Sequence, residues 1–557
     1  MKRHLPPGMP EKLDYPDCSV GDILASAARR YPDKAALIGG DLRLTYAELY
    51  DLALRCAQGL RERGIRPGDV VALHQPNSTW FTVGYYGVVL AGAVVTPVNP
   101  TLPPLAVRNQ LVDAGAVAAI THPSSAAGLG EIADSLDLVV TVPAESAEHS
   151  GGLGRQFAQL EELLAASPEP ATPRSGDDLV HLAFTGGTTG RSKAVRVLHR
   201  NVVRNTIQSC CWRSGSLPRL DAGGGLYLEP HAPAQTTHTV PLGTAAIGVA
   251  PMFHAMGLNF QNVCALTGAT LVLPGRLDPA QFLRDVERYG VTNLLGAPTL
   301  FHALIAASST VDADLTSVRL LVSGAAPNDS VTLGRLRKVF PNAHVVEGYG
   351  LTEATMGVSM GPVTSDDVAP VGSIGVPFFD TEVVIREFGG LKELPQGETG
   401  EVWVRGPQVT DGYHGHPEPT AEQFREGWLN TGDVGYYDQD GWIFLVGREK
   451  DMLLYKGYNV YPGPLEDLLH QHPSVALATV IGAPKPGVGE IPVAYVVTRP
   501  GHAGGPELAA ELMDFVAARV APYQKVREVH FSDVLPTSTA GKILKTELRR
   551  RHTHDVG

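Results

Sequence analysis

Cysteine is scarce in this sequence of 557 residues, and the scarcity excludes several kinds of protein. There are five cysteines, an odd number, and no two of them form a Cys-x-x-Cys pair. A disulfide framework or a structural zinc site is therefore not expected, and a reducing cytoplasm is the compartment that the composition favours. Basic residues are also fewer than acidic ones: the chain has 45 Lys and Arg and 58 Asp and Glu, which gives a formal net charge of −13. This acidic balance argues against a nucleic-acid partner.

Long apolar runs are equally few. The first residues carry a little positive charge, but no apolar segment follows them, so no signal peptide is expected. One uncharged stretch, residues 79–98, is about long enough to span a bilayer, but it contains three glycines and Pro97 and lacks flanking Lys or Arg. We expect a buried helix that runs into a buried strand, and no membrane span.

Helix and strand signals alternate along most of the chain. Thr45-Tyr-Ala-Glu48 is a capping box followed by apolar residues at helical spacing. Asp278-Pro279 opens another helix that Gly290 ends, and short apolar runs lie on both sides of it. This alternation predicts an α/β fold with mostly parallel sheets covered by helices.

The pattern changes near residue 400, where short strands of a smaller sheet begin. We place a domain boundary near Gly447, which gives a large N-terminal domain over residues 1–446 and a small α+β C-terminal domain over residues 447–557. Residues 223–242 are rich in Gly, Pro, Thr and His and indicate a long surface loop. His231 and His238 in that loop lack a third ligand, so we do not interpret them as a metal site.

The strongest local signal for chemistry is the segment Thr185-Gly-Gly-Thr-Thr-Gly-Arg-Ser-Lys193, which follows an apolar strand. Glycines let the backbone turn its N–H groups toward an anion, and threonine hydroxyls and a lysine add donors for phosphate. It is not a Walker loop, because no Gly-Lys pair completes that spacing.

Eight further motifs occur along the chain, one before the Thr/Gly loop and seven after it. In this order the nine motifs resemble the adenylate-forming superfamily of acyl-CoA synthetases, aryl-CoA ligases, peptide-synthetase adenylation domains and firefly luciferase. The resemblance runs from about Tyr31 to Leu548. The motifs are Thr45-Tyr-Ala-Glu-Leu49, Pro251-Met-Phe-His254, Ser323-Gly-Ala-Ala-Pro327, Tyr349-Gly-Leu-Thr-Glu353, Thr431-Gly-Asp433, Gly447-Arg-Glu-Lys-Asp451, Lys456-Gly-Tyr458 and Leu535-Pro-Thr-Ser-Thr-Ala-Gly-Lys542.

The resemblance implies a two-step ligase that uses ATP, Mg²⁺ and CoA. A carboxylic acid reacts with MgATP to give acyl-AMP and pyrophosphate, and a thiol then attacks the acyl-AMP. Thr352 and Glu353 resemble the pair beside Mg²⁺ and the α-phosphate, with Glu353 as the metal ligand. The implied nucleotide-binding residues are Thr185, Gly187, Thr188, Thr189, Gly190, Lys193, Gly324, Ala325, Ala326, Tyr349, Asp433 and Arg448.

The small domain carries the remaining implied roles. Lys542 resembles the lysine that bridges the attacking carboxylate and the α-phosphate, where a fixed ammonium offsets the repulsion of two anions. Lys450 resembles the hinge about which the small domain rotates between the two steps. Lys456 and Gly457 resemble the segment at the thiol entrance, where glycine permits close approach of pantetheine.

His254 resembles the gate beside the substrate carboxylate, although a core histidine is the alternative. The segment Pro251-Met-Phe-His-Ala-Met-Gly257 contains no acidic residue, which disfavours an α-amino acid substrate. The chain also departs from the family: Gly186 replaces a common serine, Ser192 a common proline and Ala194 a common glycine. Leu454 stands where several members carry lysine.

Three alternatives stay open at this point. The acceptor could be the phosphopantetheine of a carrier protein in place of CoA. The ATP could activate another oxyanion, such as nitrite, for attack by an aryl amine. A nucleotide sensor without activity is a different class, and Lys542 argues against it because sensing needs no bridging lysine. The acid itself and the oligomeric state are not readable from the sequence.

Overall fold

The computed structural model describes residues 4–40, 42–143, 157–185, 192–275, 277–324, 330–363, 369–537 and 543–555. The helices in these residues are α1 Val20–Arg30, α2 Tyr46–Glu62, α3 Thr79–Leu90, α4 Pro104–Ala114, α5 Leu160–Leu164, α6 His199–Ser214, α7 Ala255–Thr267, α8 Pro279–Tyr289, α9 Pro298–Ala307, α10 Ser330–Val339, α11 Pro417–Gln423, α12 Pro462–His470, α13 Pro506–Ala517 and α14 Lys545–Asp555.

The strands are β1 Ala35–Gly39, β2 Leu42–Thr45, β3 Val70–His74, β4 Val94–Val98, β5 Ala116–Thr121, β6 Leu138–Thr141, β7 Ala158–Gln159, β8 Leu179–Phe184, β9 Ala194–Leu198, β10 Ser216–Leu220, β11 Leu226–Pro230, β12 Ala245–Gly248, β13 Thr270–Leu273, β14 Val291–Gly296, β15 Leu320–Ser323, β16 His344–Tyr349, β17 Ser359–Met360, β18 Val376–Pro377, β19 Glu382–Arg386, β20 Gly400–Arg405, β21 Phe424–Arg425, β22 Trp428–Tyr437, β23 Ile443–Arg448, β24 Leu453–Tyr455, β25 Tyr458–Val460, β26 Val475–Lys485, β27 Gly489–Thr498 and β28 Glu528–Phe531.

The helix boundaries follow the capping signals in the sequence. The Thr45 hydroxyl accepts a hydrogen bond from the Glu48 N–H, and the Glu48 carboxylate accepts one from the Thr45 N–H at 2.8 Å. Asp278 caps α8 through the N–H groups of residues 280 and 281, and Gly290 ends that helix with φ +58°. Both predicted helices are therefore confirmed, because each terminus satisfies backbone groups that would otherwise lack partners.

The uncharged stretch 79–98 is a buried helix followed by a buried strand, as predicted. Ser78 caps α3, whose residues are almost all buried, and β4 is buried along its whole length. The apolar character of the stretch thus serves the protein core. Among the described residues, no helix is both long and apolar enough to cross a bilayer.

Two large sheets dominate the N-terminal part, and most of their neighbouring strands are parallel. The strand orders are β18-β17-β16-β15-β14-β12-β13-β1-β2 and β7-β6-β5-β3-β4-β8-β9. In the nine-stranded sheet the parallel neighbours β12, β14, β15 and β16 end at Gly248, Gly296, Ser323 and Tyr349. Their carboxyl ends meet at one edge of the sheet, so the motifs that follow these strands are brought together. The predicted α/β fold is confirmed.

An antiparallel sheet of five strands adjoins this edge. Its order is β19-β20-β22-β21, and β23 pairs with β22. The register of the β22–β23 pair sets Asp433 directly opposite Arg448. Sheet pairing therefore brings together two residues that are 15 positions apart in the sequence.

The C-terminal part has a sheet and a core of its own. Strands β24 to β28 form the sheet, in the order β25-β24-β27-β26 with β28 beside β27. Its apolar clusters contain residues from Leu453 onward, whereas the other clusters end at Leu445. Within the described residues, the two cores thus share no member. The small C-terminal α+β domain predicted from the sequence is present.

The segment 223–242 was expected to be a loop, and this prediction is wrong for its first part. Strands β10 and β11 form an antiparallel hairpin from Ser216 to Pro230. The Asp221 carboxylate accepts hydrogen bonds from the Gly223 and Gly225 N–H groups in the turn. Leu226 and Leu228 alternate toward the core, a two-residue period that was hidden by the glycines before it.

Candidate functional site

The Thr/Gly segment is the connection of an antiparallel strand pair. Phe184 of β8 pairs with Ala194 of β9, and the Thr185 N–H donates to the Lys193 carbonyl at 3.1 Å. The Ser192 hydroxyl donates to the Thr185 carbonyl. Thr185 and Lys193 therefore stand side by side at the base of a hairpin. Gly187, Thr188, Thr189 and Gly190 lie outside the described residues.

Glu353 lies in a single 3-10 turn, Thr352–Ala354, immediately after the Tyr349 strand. Glu353 is only 9% exposed. The next turn residue, Thr355, has φ +65°, a left-handed conformation that is an outlier for a β-branched residue. The Thr355 hydroxyl donates to the Gln408 carbonyl at 2.7 Å, which holds the turn in place. Strained backbone of this kind is frequent at functional sites.

Tyr413 connects Glu353 to Lys193, and the sequence interpretation missed it. The Tyr413 hydroxyl donates to Glu353 Oε1 at 2.7 Å, and Lys193 Nζ lies 4.8 Å from the centroid of the tyrosine ring. Burial, and after it the charge of Glu353, raises the pKa of the Tyr413 phenol, so the hydroxyl remains a donor. The only signal in the sequence is a tyrosine between glycines at 412 and 415, which is too common to indicate a site.

Asp433 and its neighbours form the second half of the site. The Tyr349 hydroxyl donates to Asp433 Oδ2 at 2.5 Å, and Arg448 Nε lies 3.2 Å from Asp433 Oδ1. Asp433 is 6% exposed, and burial together with its carboxylate raises the pKa of Tyr349 well above the ordinary value. Each carboxylate oxygen thus has one donor and further lone pairs, as a group that accepts two hydroxyls requires.

Gly324 directly follows β15, and its N–H donates to the Gly296 carbonyl at 3.0 Å. A Cβ atom at position 324 would lie 3.4 Å from the Gly348 carbonyl oxygen and 4.0 Å from Met256 Sδ. Gly324 is buried, and both of these distances are ordinary van der Waals contacts. Ala325 and Ala326 lie outside the described residues.

His254 occupies the N-cap position of α7, directly after the β12 end of the sheet. Its Nε2 atom is buried and has no hydrogen-bond partner among the described residues. Burial lowers the pKa of His254, so the imidazole is neutral at ordinary pH. The Ser323 hydroxyl, at the end of β15, is likewise buried without a partner in the described part of the chain. Two such atoms at the carboxyl edge fit a site that a polar ligand completes.

Lys450 and the Lys456-Gly457 pair lie where the two parts of the chain join. Lys450 belongs to a 3-10 turn, Glu449–Asp451, between the last strand of one sheet and the first strand of the next. Burial and the nearby Arg448 lower the pKa of Lys450, while the carboxylates of Asp433 and Glu353 act in the opposite direction.

The Lys456-Gly457 pair forms the two-residue turn between β24 and β25. Their φ values are +51° and +83°, and Tyr455 pairs with Tyr458 across the turn. Two left-handed residues in succession are typical of a type I′ hairpin, in which glycine is favoured. Leu454 on the preceding strand is 48% exposed, so the replaced lysine position faces solvent.

Lys542 lies outside the described residues, and only its flanks are placed. Thr537 and Ile543 form an isolated antiparallel bridge, and the Leu544 N–H donates to the Pro536 carbonyl at 2.8 Å. The ends of the segment that carries Lys542 are thus held close together on the small domain.

Comparison with known proteins shows the family to which the chain belongs. The chain matches the AMP-binding enzyme family over residues 24–414 and the AMP-binding enzyme C-terminal domain over residues 464–542. It is 36% identical over 530 residues to the feruloyl-CoA synthase of an Amycolatopsis species, covering 94% of this chain and 97% of that protein. It is 32% identical over 552 residues to the 4-coumarate–CoA ligase of Pinus taeda, covering 96% of each.

A solved structure gives the same result at the level of the fold. ATP-bound MatB from Rhodopseudomonas palustris superposes with a TM-score of 0.81 at 28% identity, covering 96% of this chain and all of that one. The resemblance indicated by the order of the sequence motifs is confirmed. The chain belongs to the family of AMP-binding enzymes, the adenylate-forming superfamily.

Proposed function

We propose that the substrate of this ATP-dependent acid–CoA ligase is an aryl-substituted carboxylic acid of the hydroxycinnamate class. The support is the similarity, over nearly the whole chain, to a feruloyl-CoA synthase and to 4-coumarate–CoA ligases. The lack of an acidic residue beside His254 agrees, because such a substrate carries no ammonium group. The acceptor in these relatives is CoA, and none of the relatives named here supports the carrier-protein or nitrite alternative.

In the first step, a carboxylate oxygen of the acid attacks the α-phosphorus of ATP, and pyrophosphate leaves. Asp433 accepts the ribose hydroxyls, with Arg448 beside it, and Tyr349 with Gly324 borders the adenine. Lys193 and the hydroxyls of the Thr/Gly loop donate to the phosphates. Lys542 bridges the attacking oxygen and the α-phosphate, which stabilises the charge of the transition state.

Glu353 is the carboxylate that would hold Mg²⁺, with Thr352 next to it. One protein carboxylate is sufficient, because Mg²⁺ keeps several waters and shares phosphate oxygens. The contact with Tyr413 fixes the orientation of Glu353 and leaves the second carboxylate oxygen for the ion. When held by Glu353, the ion would supply positive charge that offsets the charge of the phosphates.

In the second step, the CoA thiol attacks the carbonyl carbon of acyl-AMP, the thioester forms, and AMP leaves. Rotation about Lys450 removes Lys542 from the site and brings the Lys456-Gly457 turn to the thiol entrance. His254, neutral because of burial, would close the acid pocket until the thiol arrives. The division of the chain near Gly447 is part of this proposal.

The observation that carries the proposal is the similarity to a feruloyl-CoA synthase over 94% of this chain. The test measures pyrophosphate release with and without CoA for ferulate, 4-coumarate, benzoate, acetate, an α-amino acid and nitrite. We expect the highest kcat/KM for the hydroxycinnamates and a CoA thioester as product. Equal activity on acetate would contradict the substrate class, and release without thioester formation would contradict the acceptor.

A further inference from the structure

A cluster of two histidines and a glutamate lies in the small domain and has no part in the steps above. Glu528 and His530 are on β28, and His552 is on α14. One ligand atom of each residue lies within 4.8 Å of the corresponding atoms of the other two. We infer that Glu528, His530 and His552 form a binding site for a divalent transition metal, with Zn²⁺ as the ion that best fits these ligands.

The spacing of the ligand atoms fits an ion. His530 Nε2 and Glu528 Oε2 are 3.6 Å apart, which is too long for a hydrogen bond, and the Nε2 atom is buried without another hydrogen-bond partner in the described residues. Two atoms bound to Zn²⁺ at about 2.0–2.1 Å in tetrahedral geometry are roughly 3.3 Å apart. All three ligand atoms lie within 4.8 Å of one another, so side-chain rotations would bring them onto one ion.

A fourth residue, Tyr495, contacts both histidines of the cluster. The Tyr495 hydroxyl lies 3.1 Å from His552 Nδ1, which leaves the Nε2 atom of that imidazole as the ligand. The Tyr495 ring also stacks on His530, with centroids 5.2 Å apart and an angle of 21° between the planes. Metal-binding histidines commonly have their other ring nitrogen fixed by such a partner.

Chain topology explains why the sequence shows no motif for this site. Parallel pairing sets Tyr495 of β27 opposite His530 of β28, and Leu548 anchors α14 against the same sheet. His552 follows Leu548 by one helical turn, so it faces the sheet as well. The ion would connect β28 to α14, the helix that begins three residues after Lys542. It would thereby stabilise the elements on both sides of the segment that carries Lys542.

The test is a titration of the metal-stripped full-length chain with Zn²⁺, followed by calorimetry. We expect one equivalent to bind the wild type, and we expect His530→Asn and Glu528→Gln to lose that binding. His502→Asn is the matched control, because this exposed histidine of the same domain lies outside the cluster. Tyr495→Phe keeps the ring and loses the hydroxyl, so its affinity should fall by roughly 10- to 100-fold.

Further measurements keep the result independent of folding defects. Circular dichroism of each metal-free variant checks the fold, and Co²⁺ in place of Zn²⁺ should give the visible absorption of a four-coordinate site in the wild type and in His502→Asn. Zn²⁺ should also raise the melting temperature of those two proteins. The proposal is overturned if wild type and His530→Asn bind Zn²⁺ equally, or if His502→Asn loses the same binding.

Discussion

Asp433 has a donor on each carboxylate oxygen before any nucleotide arrives. In the proposed ribose site, ATP would share the Tyr349 and Arg448 contacts or displace them, and the ribose hydroxyls would be additional donors. We expect Asp433→Ala to weaken ATP binding by about 1.5–3 kcal/mol, the range for hydrogen bonds to a charged group. Isothermal titration with ATP measures this loss. Unchanged affinity would remove Asp433 from the ribose site.

Tyr413 donates a hydrogen bond to Glu353, the carboxylate that we propose as the Mg²⁺ ligand. Tyr413→Phe keeps the ring under Lys193 and removes the 2.7 Å hydrogen bond to the carboxylate. We expect a higher Mg²⁺ concentration for half-maximal pyrophosphate release and a loss of roughly 10-fold in kcat, or about 1.4 kcal/mol. Tyr436→Phe is the matched control, since Tyr436 stacks on Phe444 away from Glu353. Equal Mg²⁺ dependence of both variants would contradict this role.

Replacement of Lys542 should reduce the rate of adenylation without reducing the stability of the fold. Lys542→Ala should reduce pyrophosphate exchange on the order of 100-fold or more, as expected for loss of a main charge stabiliser. Its melting temperature should equal that of the wild type. Lys485→Ala removes an exposed lysine of the same domain and should retain exchange. Near-normal exchange in Lys542→Ala would show that another group bridges the two anions.

At the scale of the element, the turn at Lys450 should control the order of the two steps. Proline at position 450 fixes φ near −65°, which blocks a change of backbone dihedrals, whereas alanine removes only the charge. If the fixed state is the adenylating one, Lys450→Pro should accumulate acyl-AMP and form little thioester. Quenched single turnovers quantify both species. Equal slowing of both steps by proline and alanine would contradict the hinge.

The sequence predicted elements best where a local signal specifies them. The capping box at Thr45, the Asp278-Pro279 start and the Gly290 stop each satisfy backbone groups of their own helix, so a short pattern suffices. The β10–β11 hairpin was not predicted, because its turn is rich in glycine. In addition, the alternation of buried and exposed residues in β11 includes only two buried leucines. Local composition there resembled a loop.

The site was predictable where a motif spans it and was not where distant segments meet. Tyr349, Glu353, Asp433 and Arg448 come from recognisable motifs, and the pairing of β22 with β23 explains the proximity of Asp433 and Arg448. Tyr413 reaches Glu353 from a segment 60 positions later and has no pattern of its own. The positive φ of Thr355 is also invisible in sequence, because threonine rarely adopts it and tertiary contacts impose it.

At the scale of the whole molecule, the large domain contains histidines that are buried in neutral form. Burial lowers the pKa of His74, His199 and His344 to about 4 and that of His181 to about 3. A histidine with a lowered folded-state pKa contributes its full stability above the unfolded value, near 6.5, and loses it as the pH falls toward the folded value.

We therefore expect the large domain to lose stability between about pH 6.5 and pH 4. Each of the four histidines contributes a slope on the order of 1.4 kcal/mol per pH unit in that range. Urea unfolding midpoints at pH 7.5, 6 and 5 measure the effect, and tryptophan fluorescence reports on the large domain, which contains all five tryptophans. Equal midpoints at pH 7.5 and pH 5 would contradict burial of neutral imidazoles.

The separate core of the small domain has a consequence for temperature. Within the described residues, no apolar cluster extends across residues 449–452, so rotation at Lys450 need not transfer apolar side chains between core and water. Heat capacity changes chiefly when apolar surface becomes hydrated. The change in heat capacity between the two proposed conformations should therefore be small. Their population ratio would then follow a nearly straight van't Hoff line, and the balance between acid activation and thiol transfer would shift only gradually with temperature.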